Sequence, residues 1–561
     1  NYAKGWSYNG VVLSAGTTKI TGGEFIQSLT TTGRWNHPQV VATGVVEGYP
    51  AITKITGGTF TNNMSGEGIF RGIGKGTSDN FEVSGGTFNK SVPDAYFADG
   101  YIAKKVDGVY TVVGPYEAKI GTTGYKTLAE AITEANKSTG SKTITLLQDV
   151  AVTDQIVIKN VNDKAITLNL GGKTLTSTLD ANGYSLRTGT KVTIKNGTYK
   201  GTGDARGIGA YADFVLDGVK VDVVGLVGVA CSTGGKTYII KNSEVKAGYA
   251  VCNFADNATI TISDSKLTGN GNVFYHNGSN YGLKLTVSNS TITGTGNDCC
   301  GVYISGSTSA QANAANQNGA GGHQQASFTN CTISGTNGIE VKYTDLTLNG
   351  CTVKTTAAES RYTQDNNGPA ASGFAVVSTD NAMNGATPKP EGTIIIKGNG
   401  SYTGLVGLGA LDSVKTNYEG FKDETIQVSG GTFSSKVLPE YCATGFVPKD
   451  NGDGTYGVEV DTSVAEVNGV KYKTLQAAID AALRKATVKL LADTKENVTI
   501  STPYVTLDLN GHTLNGSTGE RKPALTITAR VTVKDSSEGQ TGTIMREDTA
   551  ENSGVSSHYV I

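Results

Sequence analysis

One short pattern, repeated at near-constant spacing, restricts what this chain can fold into more than any other feature. It reads apolar, any residue, apolar, then a corner of two or three Gly, Asn, Asp or Ser residues, a Thr or a charge, and apolar again. Plain copies are Phe81-Glu-Val-Ser-Gly-Gly-Thr-Phe88, Val192-Thr-Ile-Lys-Asn-Gly-Thr-Tyr199, Tyr238-Ile-Ile-Lys-Asn-Ser-Glu-Val245, Leu285-Thr-Val-Ser-Asn-Ser-Thr-Ile292 and Ile426-Gln-Val-Ser-Gly-Gly-Thr-Phe433. Apolar residues at period two mark a strand with one buried face. Gly, Asn and Asp tolerate the left-handed conformation, so they supply a corner. Copies begin at Leu168, Val192, Phe214, Tyr238, Ile260 and Leu285, in steps of 24, 22, 24, 22 and 25 residues. A strand-type repeat of that length predicts a solenoid of stacked coils. With about three short strands per coil, the expected fold is an all-β, single-stranded parallel β-helix.

Composition agrees. The 561 residues include 75 Gly, 11 Pro and 3 Met, with only 17% charged, which suits a turn-rich, strand-rich chain. A net charge of -2 gives no global reason to bind nucleic acid or a membrane surface. No stretch approaches the ~20 apolar residues of a membrane span. Seven Cys are too few for a disulfide scaffold, and their odd number leaves at least one without an intrachain partner.

The ends read as parts of larger units. Residues 1–117 carry coils without an opening cap and finish in Gly100-Tyr-Ile-Ala-Lys-Lys-Val-Asp-Gly-Val-Tyr-Thr-Val112, a hairpin signal at Asp107-Gly108. Residues 438–460 repeat that ending. After each ending comes the same opener, Tyr125-Lys-Thr-Leu-Ala-Glu-Ala-Ile132 and Tyr472-Lys-Thr-Leu-Gln-Ala-Ala-Ile479. Leu128, Ala131, Ile132 and Ala135 fall at helical spacing, as do Leu475, Ala478, Ile479 and Ala482. Thr127 and Glu130 fit a capping box. Each opener is thus expected to be a short amphipathic helix over the open end of an apolar bore. The expected organisation is the end of one module (1–117), a whole module (118–460) and the start of another (461–561). The chain reads as a window on a tandem array, or as a unit that stacks end to end with its copies.

The opener, the run Leu507-Asp-Leu-Asn-Gly-His-Thr-Leu514 and the Ser-Gly-Gly-Thr-Phe coils together resemble the pectate-lyase-like right-handed β-helix superfamily. More narrowly, the chain is similar to the repeats of large secreted or wall-attached proteins of Gram-positive gut bacteria. The resemblance covers nearly the whole chain. It implies a right-handed β-helix and an extracellular, bacterial cell-surface or secreted location. It implies no single activity, since that fold hosts lyases, hydrolases, adhesins and fibres alike.

The central coils carry a further strand, usually opened by Gly: Gly207-Ile-Gly-Ala-Tyr211, Asn272-Val-Phe-Tyr-His276, Gly301-Val-Tyr-Ile-Ser305 and Gly338-Ile-Glu-Val-Lys342 among them. With the second and fourth residues facing the bore, the third and fifth point outward. That places Phe274 and Tyr303 as neighbours in an outward row, with Tyr211, His276, Ser305, Glu340, Lys342 and Arg187 around them. Tyr211, Phe274, His276, Tyr303, Glu340 and Lys342 are therefore the candidate ligand-binding residues, suited to a glycan or a host surface protein. Two excursions interrupt the coils beside this strand. One contains Ser307-Thr-Ser-Ala-Gln-Ala-Asn-Ala-Ala-Asn-Gln-Asn-Gly319, the other Arg361-Tyr-Thr-Gln-Asp-Asn-Asn-Gly-Pro369. Long loops on a rigid scaffold are common places to meet a ligand, and equally common as tolerated insertions.

Catalytic patterns are thin. His37, His276, His323, His512 and His558 do not approach metal-ligand spacing, and no adjacent Asp pair offers the clustered carboxylates of a glycoside hydrolase. Asp450-Asn-Gly-Asp453 hints at calcium but lacks the remaining ligands. No metal, cofactor or catalytic residue is expected. Cys331 and Cys351 occupy the same position of neighbouring copies, and ~4.8 Å stacking puts them in contact, as a thiol stack or a disulfide. The expected role is an extracellular stalk, adhesin or fibre of tandem modules. The enzymatic alternative is a β-helix polysaccharide lyase or glycoside hydrolase.

Overall fold

The computed structural model describes residues 10–29, 39–44, 51–73, 81–278, 280–305, 323–359, 361–362, 371–379, 392–409, 426–516 and 522–546. Two compact units divide the chain, residues 1–444 with 448–458 and residues 445–447 with 459–561. Both are built almost wholly of short strands, most of them paired in parallel, which gives the chain an all-β, solenoid-like character.

In the larger unit, a residue of each coil sits opposite its counterpart one repeat later. Ile166, Val192, Phe214, Tyr238, Ile260, Leu285, Ala326, Leu346, Ile394 and Ile426 form one such column. Leu168, Ile194, Leu216, Ile240, Ile262, Val287, Phe328, Leu348, Ile396 and Val428 form the next column on the same face. All are buried in one continuous apolar core, and each fully buried large side chain contributes about 1.5–3 kcal/mol. Leu168 thus lies level with Ile194, two residues further into the coil than Val192. The copy taken to begin at Leu168 begins in register at Ile166, because the corner of this coil is two residues longer: Ile166 pairs with Val192, 26 residues on, and Thr174 with Thr198, 24 on.

That corner stacks as well. Asn196, Gly218, Asn242, Asp264, Asn289, Asn330 and Gly350 occupy it in successive coils, all with φ between 49° and 64°. Their side chains bond along the stack, Asn242 Nδ2 donating to Asp217 Oδ1 (3.1 Å) and Asn289 Nδ2 to Asp264 Oδ1 (3.3 Å). A short polar side chain that bonds locally is what makes a left-handed residue tolerable. In the first 117 residues the Gly-Gly-Thr-Phe copies stack Phe25 on Phe60 on Phe88, with ring centroids 4.8 and 5.1 Å apart.

Helix α1 (Leu128–Lys137) begins at a complete Thr127/Glu130 capping box and buries Leu128, Ala131, Ile132 and Ala135. Its orphan carbonyls find partners in the first coil, where Asn160 Nδ2 donates to the oxygens of Ala135 and Ser138. In the smaller unit, helix α2 (Leu475–Ala481) buries Leu475, Ala478 and Ile479, and the Glu496 carboxylate accepts from the Leu475 and Gln476 amides at its N-terminus. Strands Ile102–Val106 and Val109–Val113 pair antiparallel through Asp107 (φ 50°) and Gly108 (φ 86°), the backbone a two-residue hairpin needs.

The third strand of each coil forms a second sheet of ten strands among the described residues. Its bend is crowded. A Cβ on Gly301 would meet Ile333 Cγ2 at 2.7 Å, and one on Gly338 would meet Val353 Cγ1 at 2.3 Å. This close approach explains the recurring Gly opener.

Candidate binding face

The outer face of the ten-stranded sheet is defined by one column: Arg187, Gly209, Ala230, Cys252, Tyr275, Tyr303, Glu340 and Val377. The column on its inner side is Leu186, Ile208, Val229, Val251, Phe274, Val302, Ile339 and Val376. All of these inner residues lie in the main core. Phe274 is accordingly 0% exposed, and Tyr275, not Phe274, is the neighbour of Tyr303. His276 lies one inner position further on and is likewise buried.

The expected outward placement of Phe274 and His276 is therefore reversed, and the cause is local. At the bend two consecutive residues turn inward, Ala250 with Val251, Val273 with Phe274, and Ala375 with Val376. Counting the 272–276 coil from Asn272 instead of Val273 shifts its alternation by one residue.

Inside the core, His276 Nδ1 accepts from Asn253 Nδ2 at 2.8 Å, which requires an unprotonated Nδ1. Burial pushes its pKa down to about 3.

Tyr303 and Glu340 do sit on the outer column, yet neither is an exposed contact. Tyr303 and Glu340 are 0% exposed and Lys342 1%. Glu340 accepts from Asn337 Nδ2 (2.8 Å), the Ala371 amide (3.3 Å) and Thr379 Oγ1 (3.2 Å), and the Lys342 ammonium stands 5.8 Å from the Tyr303 ring centroid. These groups pin the coil to the residues that follow it. A buried carboxylate held by three donors, beside a buried ammonium over a ring, reads as an anchor, not as a docking face.

The accessible part of the face is on the five coils before them. Gly209, Ala230 and Cys252 lie buried beneath it, Ala230 0% and Cys252 1% exposed. Gly209 is required, because a Cβ there would meet the Tyr184 ring at 2.7 Å. Here an apolar cluster separate from the core gathers Tyr184, Val227, Ala230 and Cys252, with half-buried Tyr211, Tyr249, Phe254 and Tyr275 packed against them. The rings meet in two groups, Tyr184 with Tyr211 (6.2 Å), and Tyr275 with Tyr249 (5.5 Å), Phe254 (6.1 Å) and Tyr303 (5.7 Å). Two exposed guanidiniums cover one end, Arg187 at 4.6 Å from the Tyr211 centroid and Arg206 at 5.7 Å from that of Tyr184. Of the residues expected from sequence, Tyr211 is the one on this surface, with Arg187 beside it. Tyr184, Arg206, Tyr249, Phe254 and Tyr275 were not foreseen. The signal that finds them is the inward column, counted coil by coil from the left-handed corner.

A cleft lies along the neighbouring bend. One part of about 260 Å³ is lined by Lys246, Gly248, Thr268, Asn270 and Thr295, and an adjoining part of about 570 Å³ by Thr295, Asn297, Asp298, Thr336 and Glu359.

Cys331 and Cys351 lie in adjacent coils as buried free thiols, Cys331 Sγ donating to Thr329 O at 3.3 Å and Cys351 Sγ to Phe328 O at 3.4 Å. The Asp450 and Asp453 carboxylates are bonded to their own turn, Asp450 accepting from the Gly452 amide and Asp453 from Thr455. Among the described residues, no three His, Cys, Asp or Glu side chains gather as a metal site, and no helix is long and apolar enough to cross a membrane. Ser307–Gly319, residues 363–369, His37 and His558 lie outside the described residues. No family model, curated protein or solved structure matches the chain.

Proposed function

We propose that this chain is a right-handed parallel β-helix serving as an extracellular stalk or adhesin of a bacterial surface, and that it holds a glycan on the outer face of its ten-stranded sheet. The observation that carries the reading is the set of half-buried rings Tyr211, Tyr249, Phe254 and Tyr275, which pack over the buried Ala230 and Cys252 on one face of the sheet. Each tyrosine offers an apolar ring face and a hydroxyl. That combination suits sugar rings, which present C–H surfaces edged by hydroxyls. Successive coils stand ~4.8 Å apart, so rings two coils apart repeat at roughly the length of two hexoses in a polysaccharide. The rings are already packed against buried residues of the coils, so they cost little ordering on binding.

The stalk reading rests on the regular register of the parallel strands and on the two opener helices. We place modules at 1–117, 118–460 and 461–561, continued in a longer array or stacked end to end with copies of the chain. The test of the binding reading is titration calorimetry of the full chain against a panel of bacterial and host polysaccharides. A Tyr249→Ala/Tyr275→Ala variant serves as the control. The reading expects at least one polysaccharide to bind the parent chain and to lose tenfold or more in affinity on the double substitution. Equal affinity in the two proteins refutes this face as the site.

A further inference from the structure

The position after the left-handed corner forms a buried ladder of its own. Ser243, Ser265 and Ser290 hold it in successive coils. The Val219 amide donates to Ser243 Oγ (3.2 Å), the Ser243 amide to Ser265 Oγ (3.2 Å) and the Ser265 amide to Ser290 Oγ (3.1 Å). Each hydroxyl donates in turn to the carbonyl two residues before it, at 2.6–2.7 Å. In the next two coils the ladder continues in sulfur. The Ser290 amide faces Cys331 Sγ and the Cys331 amide faces Cys351 Sγ, while Cys331 Sγ donates to Thr329 O at 3.3 Å.

The two sulfur rungs differ from the oxygen rungs in what they can become. Thr332 pairs in register with Thr352, and the Thr352 amide donates to Cys331 O at 2.8 Å, so the cysteines are direct neighbours across one coil step. A step of ~4.8 Å falls inside the ~4.4–6.8 Å between α-carbons that a disulfide accepts, with the two Cβ atoms pointing the same way. The residues between them make one coil: strands Thr332–Gly335, Asn337–Val341 and Thr344–Asn349. It is also the coil that carries Glu340 and Lys342, between the two sequence excursions.

We propose that Cys331 and Cys351 are an oxidisable pair, which a peroxide-class oxidant converts to an inter-coil disulfide that closes this coil into a covalent ring. Cys351 is taken as the attacking sulfur, with Cys331 directly across one coil step to resolve its sulfenic acid. Its thiolate attacks one peroxide oxygen; the O–O bond breaks, and the departing hydroxide takes a proton to leave as water. Cys331 sulfur then attacks the sulfenic acid of Cys351. The S–S bond forms, the S–O bond breaks, and a second water leaves with the Cys331 proton. Two electrons pass from the two thiols to one peroxide. The inference is independent of what the tyrosine face binds.

The experiment treats the reduced full chain with hydrogen peroxide, alkylates under denaturing conditions and maps peptides without reduction. The expected result is a cross-linked peptide joining Cys331 to Cys351, with those two thiols lost to alkylation in addition to Cys442. Cys442, the one cysteine that is not buried, reports that oxidant was present. Cys351→Ser should abolish the cross-link. In Cys331→Ser the sulfenic acid on Cys351 should be trappable with a cyclic diketone. Both variants keep a ladder hydroxyl of the kind found at Ser265 and Ser290, so their folding is retained. Two free thiols at 331 and 351 when Cys442 is fully oxidised, or either sulfur joined to another cysteine, overturns the proposal.

Discussion

Phe274 and Tyr275 are adjacent aromatic residues with opposite assignments, and replacing each by Ala separates those assignments cleanly. Phe274 is fully buried between Val251 and Val302 in the core column. Cutting a buried Phe to Ala loses its transfer free energy and leaves a cavity, together about 3–5 kcal/mol. Tyr275 is half-buried, stacked on Tyr303 and tilted against Tyr249 and Phe254. Its loss removes aromatic contacts of about 0.5–1.5 kcal/mol and leaves no enclosed void, so about 1–2 kcal/mol is expected. In a stack of coils each coil contacts only its neighbours. Hydrogen exchange of the amides in strands Tyr249–Asn253 and Cys300–Ile304 is therefore a sharper probe than global unfolding. Phe274→Ala should raise exchange there by two orders of magnitude or more, and Tyr275→Ala by about one order or less. If Tyr275→Ala proves the more damaging, the sheet's inner and outer faces are interchanged and the tyrosine surface dissolves as a site.

Other outcomes follow from the same geometry. His276 is buried with its pKa below the free value, so its neutral form supports folding above pH ~6.5 and that support is lost as pH falls towards 3. The stability of the parent chain should drop by about 1.4 kcal/mol per pH unit across that window relative to His276→Gln, measured by urea unfolding from pH 7 to pH 4. Ser265→Ala removes an acceptor from the Ser243 amide and a donor from Ser263 O, and should cost about 1–3 kcal/mol, whereas Ser265→Cys should cost less. Thr127→Ala breaks the capping box of α1 and should cost about 1 kcal/mol, read as faster exchange in residues 128–132.

Much of this was legible because two short-range rules repeat. Period-two alternation named the core columns through Ile194, Ile240 and Val287, and the Asn or Asp after them named the corner that the backbone turns at positive φ. The opener helix was legible for the same reason, since Leu128, Ala131, Ile132 and Ala135 share a face whatever follows them. The binding face was not. Its parity depends on a bend where two residues in a row turn inward, and in the 272–276 coil Val273 stands where neighbouring coils carry Gly301 or Gly338. Without that marker the alternation slipped, and Tyr275 was passed over for Phe274. Glu340 and Tyr303 had the right parity but the wrong exposure. The groups that hold Glu340 in place, the Ala371 amide and Thr379, lie 31 and 39 residues further on, beyond any repeat in the sequence.

Hydroxyl-radical footprinting with a bound oligosaccharide tests the glycan-holding face most directly. Tyrosine and phenylalanine are oxidised at their exposed rings, and the four half-buried rings of the face report separately by peptide. Binding on this face predicts protection at Tyr211, Tyr249, Phe254 and Tyr275 on addition of a polysaccharide that binds, with Tyr110 and Tyr504, which lie elsewhere in the chain, unchanged. Protection absent from all four while the polysaccharide is bound would contradict it.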